Sequence, residues 1–275
     1  MTLGEVLAGA TDYLAKRGVE SARLDAERLL ARALGLSRIE LYTQHDRPLT
    51  DAERGAAREL VQRRGAREPL AYVLGDWDFR RLTLRTDARA LVPRPETEIV
   101  VERCLELIRD QAAPRVLDVG TGSGAIALSI AHEHPGARVV ATDTSEPALE
   151  LAQKNAAAHD LEVTFVRADV LDGVDGPFDL IVSNPPYVEP AEIEALEPEV
   201  RDWEPRTALI DAGQTERLVA DATRVLSGPL VLEVHEQHAG DVAGQLEAAG
   251  YGDIRITRDL AGKERVVEAR WPQTT

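Results

Sequence analysis

Cysteine occurs once in the 275 residues, at position 104, so no disulfide can close within the chain. Cys104 sits in the apolar pattern of Ile99 to Ile108, which suits a small core hydrophobe better than a nucleophile. A reducing cytoplasm is the expected compartment. No run of eighteen apolar residues is present, so neither a membrane-spanning helix nor a membrane partner is expected. The first residues show no basic stretch leading into an apolar one, and no secretory signal is expected. Lysine is scarce, at positions 16, 154 and 263 only, and the formal net charge is -16. Unaided binding to nucleic acid draws its affinity from Lys and Arg neutralising phosphates, so no direct nucleic-acid partner is expected. The six histidines show no metal-ligand spacing, and His132 and His134 read as solvent-facing residues at a helix end.

Against these absences stands one informative tetrad, Asn184-Pro185-Pro186-Tyr187, after the apolar run Phe178 to Ser183. The run reads as a buried strand. Two prolines donate no backbone hydrogen bond and fix φ near -65°, so the strand must end in a rigid, extended turn. Such a turn presents one side-chain amide, bare carbonyls and one aromatic ring. A planar group bearing an NH2 fits there, its protons taken by the Asn184 oxygen and the Pro185 carbonyl, its face on Tyr187. Glutamine amides and the exocyclic amine of adenine are such groups. Alone, the tetrad is equally a proline-rich turn that closes a strand.

The second motif runs from Val116 to Leu128. A β-branched strand enters Gly120-Thr121-Gly122-Ser123-Gly124, and an apolar helix follows. Glycines permit positive φ and close approach of backbone to a ligand. In dinucleotide folds the spacing G-x-G-x-x-G puts a pyrophosphate on the helix N-terminus. Here the spacing is G-x-G-x-G behind Asp118, whose carboxylate repels a pyrophosphate but accepts from an ammonium group. A cationic amino acid joined to a nucleoside, such as S-adenosylmethionine, is the expected ligand. Strands Arg138 to Asp143 and Val163 to Asp169 also end in acids. At its distance from the glycine loop, Asp143 suits both ribose hydroxyls. Asp169 suits the adenine amine, with Val170 beside the ring. Each acid alone is an ordinary cap or loop residue.

The first seventy residues show helical stripes, Leu3 to Leu14 and Ala22 to Leu34, with Ser21, Asp25 and Gly35 as end signals. Thr50 to Glu53 has capping-box spacing before a third helix. Residues 75–95 change character and suggest a hairpin linker stiffened by Pro93 and Pro95. From residue 96 onward strands and helices alternate, which implies a mostly parallel sheet. The last two strands, Tyr251 to Thr257 and Glu264 to Arg270, read as a hairpin that adds an antiparallel edge. The expected division is a helical domain at 1–74, a hairpin linker at 75–95 and an α/β domain at 96–275. The helical block carries no catalytic cluster and is expected to recognise a substrate or to serve as a structural cap.

Together these motifs resemble the Rossmann-like methyltransferases that use S-adenosylmethionine. More narrowly, the chain is similar to the protein-glutamine N5-methyltransferases of peptide-chain release factors. The resemblance spans nearly the whole chain. It rests on Glu68 to Gly75, Leu91 to Glu98, the glycine loop, Ser183 to Tyr187 and Gly262 to Val267. The segment Pro93-Arg94-Pro95-Glu96-Thr97-Glu98 separates it from a sister family that methylates a ribosomal-protein glutamine. The resemblance implies methylation of the glutamine in a Gly-Gly-Gln motif of class I release factors. It implies catalytic roles for Asn184, Pro185 and Tyr187, and substrate contacts from these with Pro186 and Arg94. It also implies cofactor contacts from Asp118, the Gly120–Gly124 loop, Asp143, Asp169, Val170 and Asn184. One departure is Val234-His235-Glu236, where a glycine often stands in that family. Adenine N6-methylation and a non-catalytic S-adenosylmethionine sensor are the competing readings. The acidic balance opposes the first, and the intact tetrad opposes the second.

Overall fold

The computed structural model describes residues 1–272, in two compact units. One unit comprises residues 1–76 with 196–203, and the other comprises 77–195 with 204–275. The boundary thus falls at residue 76 instead of 74. The expected linker hairpin belongs to the larger unit, and a short segment far along the chain belongs to the smaller.

The smaller unit is built from α1 (Leu3–Lys16), α2 (Ala22–Leu34), α3 (Arg38–Thr43), α4 (Asp51–Gly65) and α5 (Leu70–Leu74). Leu3, Leu7, Leu14, Leu29 and Leu30 are completely buried in its core. Reciprocal capping boxes open three of these helices, at Thr2/Glu5, Ser37/Glu40 and Thr50/Glu53. Each satisfies backbone donors that the first turn leaves free. Gly35 ends α2 in the left-handed conformation, as the sequence predicts.

The larger unit begins with the hairpin β1 (Asp76–Phe79) and β2 (Leu82–Arg85). It continues through α6 (Thr97–Ile108), β3 (Arg115–Val119), α7 (Ala125–Glu133), β4 (Arg138–Asp143), α8 (Glu146–Ala158), β5 (Val163–Arg167) and β6 (Leu180–Ser183). After β6 comes α9 (Pro198–Arg201), which belongs to the smaller unit. The chain then forms α10 (Gln214–Ala222), β7 (Pro229–Glu233), α11 (Ala239–Ala248), β8 (Gly252–Arg258) and β9 (Glu264–Arg270).

The seven-stranded sheet has the order β5-β4-β3-β6-β7-β9-β8. Strands β3 to β7 pair in parallel, and β9 runs antiparallel to β7 and to β8. The terminal hairpin therefore supplies the antiparallel edge, with β9 lying between β7 and the outermost strand. Both faces of the sheet are covered, so its central strands are apolar throughout. Leu117, Ile181 and Leu230 face the α10–α11 side, whereas Val116, Leu180 and Val231 face the α6–α7 side. Cys104 is completely buried on the latter side, where desolvation pushes its thiol pKa up. Val234 continues from β7 and donates to the Arg265 carbonyl at 2.9 Å. No residue from 234 to 236 has positive φ, so the backbone there does not require a glycine.

The order reverses between β3 and β6, because the chain leaves β3 toward β4 and returns on its other side. The carboxyl ends of strands at such a switch form a natural crevice.

Candidate active site

The crevice is lined by residues from both principal motifs, Gly120 to Ser123 and Asn184 to Pro186. Arg94, Asp143, Asp169 and Val170 complete the part that the sequence anticipates. Gly120 and Gly122 have φ of +74° and +57°. A side chain at Gly122 would find only Ala90 nearby, at 3.8 Å, so the glycine leaves room on the cleft wall. Gly124 has a different job, at a φ of +88°. A Cβ there would lie 3.0 Å from Leu128 and 3.3 Å from Ala152, so the glycine serves helix packing and does not line the cleft.

Asp118 requires a correction. It lies beneath the loop, fully buried and off the cleft wall, because it shares the sheet face of Val116 under α7. Its Oδ2 accepts from Thr121 Oγ1 at 2.6 Å and from the Ala127 amide at 3.1 Å. Its Oδ1 is buried without a partner. Burial pushes the Asp118 pKa up to about 7, against the opposing hydrogen bonds from Thr121 and Ala127. The side chain thus ties the loop to the start of α7.

Asp143, at the end of β4, does line the cleft. One oxygen accepts from the Gly122 amide and the other from the Ser145 amide, both at 2.9 Å. These bonds hold the carboxylate rigid and still leave lone pairs for further donors. Desolvation raises its pKa despite them. Asp169 lies just past β5, and Arg217 of α10 holds its Oδ2 at 3.0 Å. Any ligand amine must share this carboxylate with Arg217. Val170 is buried with a φ of +54°. A β-branched residue in that region is a genuine outlier. Strain of this kind persists where surrounding structure imposes it, and it gathers at ligand sites.

The tetrad leaves β6 in the way its prolines demand. Ser183 Oγ donates to the Val119 carbonyl at 2.7 Å and locks β6 to β3 immediately before the turn. Asn184 Nδ2 donates to Thr97 Oγ1 at 3.4 Å. Tyr187 is set back from the cleft wall, its ring 5.9 Å from that of His235. Arg94 is already engaged, since both oxygens of the nearly buried Glu204 accept from its Nη2.

Two supporting residues, Asn155 and Thr97, escape a reading of the sequence. Asn155 on α8 is buried and accepts from the Arg85 amide at 2.8 Å. It donates to the Ser123 carbonyl at 2.9 Å, which ties the glycine loop to the hairpin. Thr97 opens α6 and meets Asn184. Glu233, at the end of β7, is buried, and its Oε2 has no hydrogen-bond partner. Glu233 carried a legible signal, an acid closing the strand after the tetrad. Thr97 and Asn155 carried none, since their partners lie far away in sequence.

An Asp143→Ala variant removes a rigid charged acceptor. Its expected effect is a loss of about 1.5–3 kcal/mol in S-adenosylmethionine affinity. Calorimetric titration measures this directly, and unchanged affinity would remove Asp143 from the cofactor site.

Residues 5–75 match the family described as PrmC N-terminal domain, and residues 97–198 match the family described as methyltransferase small domain. A release factor glutamine methyltransferase of Geobacter sulfurreducens is 43% identical, over 98% of this chain and 96% of that protein. Proteins of the same description from Rhodopirellula baltica and Bradyrhizobium diazoefficiens are 42% and 44% identical, each over 97% of this chain and 95% of its own. Among solved structures, the Thermus thermophilus 16S rRNA N2 G1207 methyltransferase, in complex with AdoMet and guanosine, aligns with a TM-score of 0.54. It is 20% identical and covers 72% of this chain and 50% of that one. A Pyrococcus furiosus methyltransferase aligns at 0.51, with 19% identity over 69% and 88% of the two chains. At these identities the two structures speak for the fold alone.

Proposed function

This chain belongs to the release factor glutamine methyltransferase family, and from that premise we propose how its own residues carry the reaction. The enzyme uses S-adenosylmethionine to methylate the side-chain N5 of a glutamine in peptide-chain release factors, at the Gly-Gly-Gln motif. Its work on a translation factor fits the cytoplasm. No helix among the described residues is long and apolar enough to cross a membrane. The observation that carries the reading is the meeting of the glycine loop, Asp143 and the Asn184-Pro185-Pro186 turn in one cleft.

The donor and acceptor set fits the cofactor. Asp143 offers fixed acceptors to a ribose diol, and Gly122 leaves the wall open for close approach. Ala148, Ala168, Val170 and Leu218 supply apolar surface for a base. When bound, S-adenosylmethionine supplies an electrophilic methyl group on its sulfonium.

An amide nitrogen is a poor nucleophile because its lone pair is delocalised into the carbonyl. Asn184 Oδ1 and the Pro185 carbonyl accept the two N–H protons and return electron density to nitrogen. The two rigid prolines fix the direction of attack. Positioning of this kind supplies several kcal/mol, up to about 7–11 in model reactions. The proton lost from nitrogen passes to water, so no strong base is needed beforehand. Tyr187 backs the turn, and Arg94 with Glu204 shapes its approach. The direct test is mass spectrometry of a release factor incubated with the enzyme and cofactor carrying an isotopic methyl label. The label belongs on the motif glutamine, and an unlabelled glutamine would overturn the reading.

The helical unit is the natural candidate to recognise the folded release factor. It has its own core and no catalytic cluster, and it leaves Ile39 of α3 75% exposed. An Ile39→Asp variant is expected to raise KM for intact release factor roughly tenfold, as for a moderate interface contact. Cofactor affinity is expected to hold. An unchanged KM would remove this part of α3 from the docking surface.

A further inference from the structure

We propose that Glu204, by holding Arg94, fixes the walls of the slot that receives the substrate glutamine and so selects a glutamine preceded by glycine. The inference rests on the reading above, in which the motif glutamine meets the Asn184 turn. Glu204 is a positioning residue here and acts through Arg94.

Three chain segments line the acceptor end of the cleft, and each presents proline there. Pro93 and Arg94 come from the segment before α6, Pro185 and Pro186 from the turn after β6, and Pro205 and Ala208 from the stretch before α10. The three segments are fastened to one another in pairs. Asn184 Nδ2 donates to Thr97 Oγ1 at 3.4 Å, which joins the turn to the first segment. The Val188 amide donates to the Leu209 carbonyl at 2.9 Å, and the Asp211 amide donates to the Val188 carbonyl at 3.0 Å, which joins the turn to the third. Glu204 closes the set. Its two oxygens both accept from Arg94 Nη2, at 2.8 and 2.7 Å, and tie the third segment to the first.

The third segment is stiff in itself. The Ala208 amide donates to the Pro205 carbonyl at 2.9 Å, and the Leu209 and Ile210 amides donate to the Arg206 carbonyl at 3.1 and 3.0 Å. The stretch therefore moves as a block, and Glu204 at its start decides where the block stands. Glu204 is 5% exposed, so water competes little for its carboxylate. Burial raises its pKa even with Arg94 beside it. Such a pair contributes little net stability, since desolvation offsets the attraction. What it supplies is a fixed spacing between two walls.

Proline rings hold their backbone in one conformation, so walls built from them do not yield to a bulkier guest. The glutamine amide must reach Asn184, which brings the backbone that carries it to the mouth of the slot. Glycine before the glutamine adds no Cβ at that point. Alanine adds a methyl group against walls that cannot move apart, and the overpacking costs binding in the transition state.

The test compares kcat/KM for a release factor with that for the same factor carrying alanine in place of the glycine before the glutamine. The parent enzyme is expected to prefer glycine by roughly tenfold to a hundredfold, the size of an overpacking penalty. Glu204→Gln removes the charge that holds Arg94, and the preference is expected to fall to about threefold or less. The double variant Arg94→Gln/Glu204→Gln strands no buried charge and is expected to relax the preference equally. A loss of folded enzyme lowers both rates alike and leaves their ratio unchanged, so a purely structural role does not move this readout. Calorimetric titration with S-adenosylmethionine is expected to give parental affinity for both variants. A parent indifferent to the alanine, or a parental preference in the double variant, overturns the proposal. If the parent enzyme places no methyl on the motif glutamine, the reading of the cleft fails and the selection falls with it. If it does so and the double variant keeps its preference, only the role of Glu204 has failed.

Discussion

Replacing Asn184 by Ala lowers the methyl-transfer rate by roughly 10²–10³, the size seen when one preorganised polar group is removed from an active site. Cofactor affinity changes far less, because the glycine loop and Asp143 are untouched. The argument rests on geometry. Ser183 locks the end of β6 to β3, and the two prolines allow the turn almost no freedom. Asn184 is therefore presented at a fixed place on the cleft wall, with Nδ2 already spent on Thr97. Its oxygen is the acceptor left for a substrate amide. Asn184→Asp probes the same point more finely. It keeps an acceptor, so hydrogen bonding alone predicts partial activity. A carboxylate beside a sulfonium also stabilises the positive ground state more than the transition state, which strengthens cofactor binding while slowing transfer. Single-turnover rates at saturating cofactor, set beside calorimetric affinities, separate these effects. A near-parental rate in Asn184→Ala would return the tetrad to a turn that merely closes a strand.

Arg64→Ala is expected to destabilise the helical unit by about 3–5 kcal/mol, as removal of one member of a buried ion cluster does. Arg64 Nε donates to Asp25 Oδ2 at 2.8 Å, and Nη1 donates to Glu199 Oε1 at 2.7 Å and to the Glu68 carbonyl at 3.1 Å. The side chains of Arg64, Asp25 and Glu199 are each about a tenth exposed or less. Burial alone would raise the Glu199 pKa, but Arg67 and Arg64 hold it below the usual carboxylate range. Losing Arg64 leaves Glu199 with Arg67 and strands Asp25. Chemical denaturation measures the loss. The double variant Asp25→Ala/Arg64→Ala should destabilise by less than the sum of the single changes, because the stranded charge leaves with its partner. A loss under about 1 kcal/mol, the size of exposed pairs, would show that the cluster is not an anchor. Glu199 lies in residues 196–203, on the stretch of chain that leaves the Asn184 turn and returns as α10. Weakening its anchor is thus also a perturbation of the chain that follows the Asn184 turn.

The sequence by itself determined whatever depends on a few neighbouring positions. Thr50 and Glu53 form their capping box wherever the helix goes, and Gly35 stops α2 because only its own backbone must turn. Strands Arg138–Asp143 and Glu264–Arg270 occur as read, since apolar patterning and chain punctuation are local. The prolines after Asn184 fix a turn without help from any other segment. The glycine loop and Asp143 were legible because a strand, a turn and a helix occupy one short stretch. Tertiary structure alone decided the rest. Asp25 looked like a first-turn charge, and its partner proved to be Arg64 in another helix. Asp118 looked like a wall of the cleft, but strand alternation turned it beneath α7. Asp169 acquired Arg217 from α10, and Ser123 acquired Asn155 from α8. Thr97, at the start of α6, and Asn184, at the end of β6, meet although they lie far apart in the chain. Their meeting is fixed by strand order and register, which the burial of whole sheet faces selects, and no short window of sequence contains that information.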